Sequence, residues 1–197
     1  GKYQRLFLKG SAFFDWICAT EKQIIFRNIA ENLNFGNENG NEKDWNEAAK
    51  IACANEFIEK KQPIFDPIAQ GGTNLSGGQR QRMAIARAIM KKPEIYVFDD
   101  SFSALDMKTD HRLRQNLKEY TGNAAVILVA QESAVFWMQI DLVVDDGKII
   151  GNGTHQELLS TCPLYREIAE LQLGGSLNET HRSMQTAVGY LKIHWAK

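Results

Sequence analysis

Two hydrophobic periods alternate along the chain. Ala48, Ala49, Ile51, Ala52 and Phe57 recur at helical spacing, which predicts a helix over about Trp45 to Lys60 with Asp44 as its cap. Residues 36–44, GNENGNEKD, form a polar Gly- and Asn-rich loop before it, and residues 61–74, with proline and two adjacent glycines, form a loop after it. Met83, Ile85, Ala86, Ile89 and Met90 then mark the apolar face of a second helix, from Ser76 to about Lys91. Lys91 and Lys92 suit its C-terminal end, and Pro93 stops it.

The period then changes. EIYVFDD (94–100) and AAVILVA (124–130) read as buried strands, separated by a polar helix from about Leu105 to Tyr120. DLVVDDGKIIGNGT (141–154) reads as two strands around an Asp-Gly turn. Thr154 and Glu157 have the spacing of a capping box for a short helix, and another helix runs from about Pro163 to Leu173. Strands alternating with helices predict an α/β fold. The stretch from 174 to 197 loses this regularity and reads as a loosely held tail.

Composition changes this picture little. The chain has 197 residues, enough for one domain with a sizeable core, and a net charge of −1 gives no bulk field for nucleic acid or an anionic membrane. Its apolar runs are too short to span a bilayer, and GKYQRLFLKG lacks the apolar core of a signal peptide. Cys18, Cys53 and Cys162 are scattered, which points to buried free thiols in a reducing compartment rather than a disulfide framework or zinc ribbon.

The chemistry concentrates in NLSGGQRQR (74–82). A helix N-terminus exposes unpaired N–H groups and partial positive charge. Ser76 adds a hydroxyl, Gly77 and Gly78 let an anion approach the backbone, and Gln79 can reach the same ligand or the loop beside it. Asp99, at the end of the IYVFD strand, is placed to hold Mg²⁺ directly or through water. SALD (103–106) follows at once.

Together these segments resemble the later part of an ATP-binding cassette (ABC) nucleotide-binding domain, over roughly residues 20 to 173. LSGGQ (75–79) is similar to the family signature, IYVFD (95–99) to its Walker B strand, and SALD to its D-loop. DDGKIIGNGTHQELL resembles the stretch after the switch region of exporter cassettes. DPIAQGGTN (66–74) resembles the exporter loop that touches the membrane domains, with Gln70 where glutamate is usual. The resemblance implies an α/β, P-loop NTPase-like fold: a partial RecA-like core (93–173), a helical signature subdomain (about 28–92) and a tail (174–197).

The resemblance also implies roles. Two cassettes sandwich ATP head to tail, so Ser76, Gly77, Gly78 and Gln79 would grip ATP held by a partner cassette, with Asp106 at the dimer contact. Asp99 would serve Mg²⁺, Asp100 the attacking water and Gln131 the γ-phosphate. The Q-loop position falls by spacing on Glu21, a possible Mg²⁺ ligand, with Gln23 one small slip away. The implied setting is the cytoplasmic face of a bacterial plasma membrane, beside exporter transmembrane domains and without nucleic acid.

Departures from the family pattern shape the expectation. The phosphate loop G-x-x-x-x-G-K-S/T does not occur in these residues: Gly1-Lys2 is followed by Tyr3, and Gly147-Lys148 belongs to a turn. Either the gene is truncated or the sequence is a piece of a longer chain. Asp100 stands where glutamate is usual, and Gln131 where histidine is usual. Gln can hydrogen-bond a phosphate but cannot carry positive charge. That pair resembles the degenerate-site subunit of heterodimeric bacterial multidrug exporters. The alternatives are a non-catalytic or truncated remnant and a soluble, non-transport ABC ATPase; an exporter-like loop and the absence of a basic stripe disfavour the second.

Overall fold

The computed structural model describes residues 17–19, 28–61, 65–122, 124–130, 140–172 and 189–194. Strand β1 (Ile17–Ala19) precedes three helices, α1 (Ile29–Asn34), α2 (Glu42–Ile51) and α3 (Asn55–Lys61). A tight turn at Gln70–Gly72 leads into the long helix α4 (Gly77–Lys91), then β2 (Ile95–Asp99), α5 (Met107–Tyr120) and β3 (Ala125–Ala130). The hairpin β4 (Ile140–Asp145) and β5 (Lys148–Gly153) is followed by α6 (His155–Thr161), α7 (Pro163–Gln172) and β6 (Gly189–His194).

The helix expected over 45–60 is two helices. Asn41, not Asp44, is the cap of α2: its side chain accepts from the Lys43 and Asp44 N–H groups, while Asp44 accepts from the Asn41 N–H and so closes a capping box. The helix stops at Ala52 because Cys53 turns left-handed, with φ of 54°. The Cys53 N–H donates to the Lys50 carbonyl (3.1 Å) and the Ala54 N–H to the Ala49 carbonyl (2.7 Å), a Schellman closure that most helices make with glycine. A side chain in that conformation costs about 1–2 kcal/mol. Burial of Cys53 and a hydrogen bond from Arg82 Nη1 to its carbonyl (2.8 Å) hold it there.

One continuous core joins α1 to α5 with the middle of the sheet. Ile29, Leu33, Ile68, Ile85, Phe98, Leu113 and Leu117 are fully buried in it. Tyr96 and Phe98 stack on one face of β2, and Phe102 meets Phe98 edge-on. A second, smaller core seats α6 and α7 on the hairpin through Val143, Leu158, Cys162 and Tyr165. Cys53 and Cys162 are free and buried, as expected. The turn residues Asp146 and Gly147 both have positive φ, 45° and 73°, the primed geometry that matches strand twist.

The sheet order is β1-β2-β3-β6-β4-β5. β1, β2 and β3 are parallel, as α/β alternation requires. β6 is antiparallel to both of its neighbours, β3 and β4, so β4 resumes the direction of β3. The expectation of an irregular tail therefore fails at Gly189–His194. These residues bridge two strands that are neighbours in sequence but not in the sheet. Among the described residues no helix is long and apolar enough to cross a membrane.

Candidate nucleotide-contacting site

The site is built where the N-terminal end of α4 meets the loop after β2. Ser76 caps α4: the Gln79 N–H donates to Ser76 Oγ (3.2 Å), and the Ser76 N–H donates to Gln79 Oε1 (2.8 Å). This reciprocal box fixes the first turn and turns the Gln79 carboxamide back onto its own helix. Arg80 straps the approach to the helix, donating through Nη1 to the Leu75 carbonyl (2.8 Å) and the Gly72 carbonyl (3.2 Å). Asn74 pins the preceding loop by accepting from the Ala69 N–H at 3.0 Å, and Ile68 buries its middle.

The two glycines face the 103–106 loop. A Cβ on Gly78 would stand 2.8 Å from the Ala104 carbonyl oxygen, closer than side chains come, whereas one on Gly77 would meet Ala104 Cβ at 3.4 Å, an ordinary contact. Close packing of helix on loop thus demands glycine at 78. Packing against Ala104, rather than approach of an anion, is what fixes glycine at this position.

Asp99 ends β2, exposed, and its carbonyl accepts from Ser101 Oγ (3.2 Å). Asp100 is left-handed, with φ of 46°, and its N–H donates to the Val129 carbonyl (2.9 Å), so the chain turns sharply off the sheet. Aspartate tolerates this region better than most residues, because its short polar side chain can bond locally. Asp106 caps α5 by accepting from the Thr109 N–H (3.0 Å), and that bond holds its carboxyl below the usual carboxylate range.

The structure thus brings Ser76–Gln79, Asp99, Asp100 and Asp106 to one end of the sheet and one helix terminus. Glu21, Gln23 and Gln131 lie outside the described residues. Asp99 is an oxygen donor of the kind Mg²⁺ takes, but among the described residues no group of three or more His, Cys, Asp and Glu side chains is arranged to hold a metal. Such an ion would draw its remaining ligands from water and phosphate. Sequence reasoning missed Gln81, a buried glutamine whose carboxamide joins α4 to the 100–104 turn. A polar residue on the otherwise apolar face of α4 was the available signal.

This fold is that of a partial cassette of the P-loop NTPase type, with helices α1 to α4 packed beside the sheet. Residues 14–103 match the ABC transporter family model. An uncharacterised ABC transporter ATP-binding protein of Mycobacterium bovis is 45% identical over 149 residues, covering 73% of this chain and 25% of the relative. ABC transporter B family member 14 of Arabidopsis thaliana is 36% identical over 155 residues, covering 77% of this chain and 12% of the relative. A solved bacterial Atm1-family ABC exporter with ATP bound superposes with a TM-score of 0.78 at 28% identity, over 83% of this chain and 30% of that one. The chain belongs to the ABC transporter family and resembles its exporters. It spans about a quarter of the length of the mycobacterial relative.

Proposed function

We propose that these residues form part of the nucleotide-binding domain of a bacterial ABC exporter, at the cytoplasmic face of the membrane beside exporter transmembrane domains. Its signature, Ser76 to Gln79, grips ATP and Mg²⁺ held on a partner cassette, completing a site in which ATP hydrolysis drives export. The observation that carries this reading is the capped, exposed start of α4 at Ser76, which leaves backbone N–H groups of the first turn for an anion. The chain's own site is hydrolytically weak on this reading. Asp100 is a carboxylate one methylene shorter than the usual base, and displacement of a catalytic group by about 1 Å costs on the order of 100-fold. Gln131 can donate to a γ-phosphate but supplies no positive charge. The pair is then a heterodimer whose competent site lies on the partner's nucleotide, and Asp106 stands at the contact between cassettes. Phosphoryl transfer rests on positioning and electrostatics, so a poorly placed group slows the reaction without changing it.

The test is Ser76→Ala combined with Gly77→Asp in the complex with the partner cassette. Space beside Gly77 admits a Cβ, so α4 keeps its packing while a carboxylate enters the anion position. Turnover of the pair should fall to near background, with nucleotide affinity of the open partner unchanged. Turnover at the unmodified rate would refute action across the interface.

A further inference from the structure

Gln81 lies one turn beyond the signature, on the side of α4 that packs toward the sheet, and only 9% of its surface is exposed. Its Oε1 accepts from the Ala104 N–H (2.9 Å), and its Nε2 donates to the Asp100 carbonyl (3.2 Å) and Ser103 Oγ (3.0 Å). Ser103 Oγ in turn donates to the Asp100 carbonyl (3.3 Å). The partners dictate the orientation of the carboxamide. A backbone N–H can only donate and a backbone carbonyl can only accept, so oxygen must face Ala104 and nitrogen must face Asp100.

We propose that Gln81 is a positioning residue: it fixes the 100–104 turn, and with it Asp100, against the helix that carries Ser76–Gln79. Three observations converge on this. Asp100 is left-handed and needs surrounding contacts to stay so. Gly78 and Ala104 pack too closely for any side chain at 78, so helix and loop meet as matched surfaces. Gln81 then supplies directional bonds across that contact, from a buried position where they compete with little water. An anion gripped at the start of α4 and the acidic turn after β2 thus sit on one rigid body. Movement of the helix on binding a partner's nucleotide is delivered to Asp100 and to Asp106 at the start of α5.

No other side chain reproduces this pattern. Glutamate keeps the acceptor for Ala104 but loses both donors. Methionine keeps the length and volume but loses all three bonds. Asparagine, one methylene shorter, draws the carboxamide away from the loop.

The relevance of this joint to turnover rests on the proposed action across an interface; its existence does not. The experiment therefore has two arms. In the 197-residue chain, Gln81→Met should speed amide hydrogen exchange at Ala104 by about five- to tenfold, the effect of losing one hydrogen bond, with exchange at Ile85 in mid-helix unchanged. Gln81→Glu should leave Ala104 protected. In the complex with the partner cassette, Gln81→Met should lower kcat at least fivefold with KM for ATP unchanged, and Gln81→Glu should lower it also, because both remove the donors that tie the loop leading to Asp106, at the proposed cassette contact, to the helix proposed to grip the partner's nucleotide. Equal protection of Ala104 in the unsubstituted chain and Gln81→Met overturns the joint. Faster exchange with unaltered kcat, while Ser76→Ala with Gly77→Asp abolishes turnover, overturns the positioning role and leaves the interface reading intact. Unaltered kcat in both sets overturns the interface reading and the positioning role with it.

Discussion

Gly78 approaches Ala104 so closely that its missing side chain is a structural requirement: the nearest atom to an added Cβ is a backbone oxygen, 2.8 Å away, which cannot swing aside. Gly78→Ala should therefore destabilise the chain by about 1–3 kcal/mol through overpacking. Gly77→Ala, with 3.4 Å to Ala104 Cβ, should change stability by less than about 0.5 kcal/mol. Urea unfolding of the two variants gives both numbers, and equal losses would contradict the packing.

Cys53 is the hinge between α2 and α3. Cys53→Val places a β-branched side chain at φ of 54° and should cost about 2 kcal/mol or more. Cys53→Gly removes that strain but also the Sγ that accepts from Arg112 Nε at 3.3 Å, so its effect should be much smaller. Thermal unfolding should rank unsubstituted and glycine variants together, well above valine.

Three carboxylates take part in closing helix N-termini: Asp44 and Glu157 as the third residues of the α2 and α6 capping boxes, and Asp106 as the cap of α5. Each is held below its ordinary pKa, first by a backbone N–H, from Asn41, Thr109 and Thr154 respectively. A carboxyl lowered on folding favours the folded state fully above its unfolded pKa, and that stability is lost as pH falls through the folded value. These caps should thus hold at pH 6 and weaken as the solution is acidified below about 4. Asp106→Asn keeps an oxygen for the Thr109 N–H without a titrating proton. Amide exchange at Thr109, corrected for intrinsic rate, should lose protection below pH 4 in the unsubstituted chain and not in the variant.

The 197 residues carry no G-x-x-x-x-G-K-S/T loop. Alone, they should bind Mg-ATP more weakly than about 100 µM, lacking the backbone cradle and lysine that hold β- and γ-phosphates. Calorimetry on the purified 197 residues measures this directly, and a micromolar constant would show that another part of the chain grips nucleotide.

Elements governed by local rules were legible in the residues. α4 ends where Lys91, Lys92 and Pro93 said it would, with Lys92 taking the left-handed cap. Asp146-Gly147 forms the expected tight hairpin, and Thr154–Glu157 the expected capping box. The break at Cys53 was not legible, because its closure uses neither glycine nor proline and is held by Arg82 and burial, which only the tertiary fold supplies. Asn41 was hidden by Asp44, three residues on, which could serve equally well as a cap by type. Of the candidate site, the capped start of α4 at Ser76 and the acidic end of β2 were legible in the residues. Gln81 was not, because its meaning lies in partners some twenty positions away. β6 escaped because the alternation of Leu191, Lys192, Ile193 and His194 is short, and its partners are remote in sequence.

That last strand has a kinetic consequence. β3 and β4 are consecutive strands, yet their facing edges meet only through β6, which follows the α6–α7 pair in sequence. During synthesis both edges must wait, unpaired, until residues 189–194 leave the ribosome. Long-range strand insertion is slow, because loop closure precedes its reward, and open edges invite pairing between molecules. A nascent chain is therefore exposed to aggregation in the interval after β4 has emerged and before β6 threads the gap.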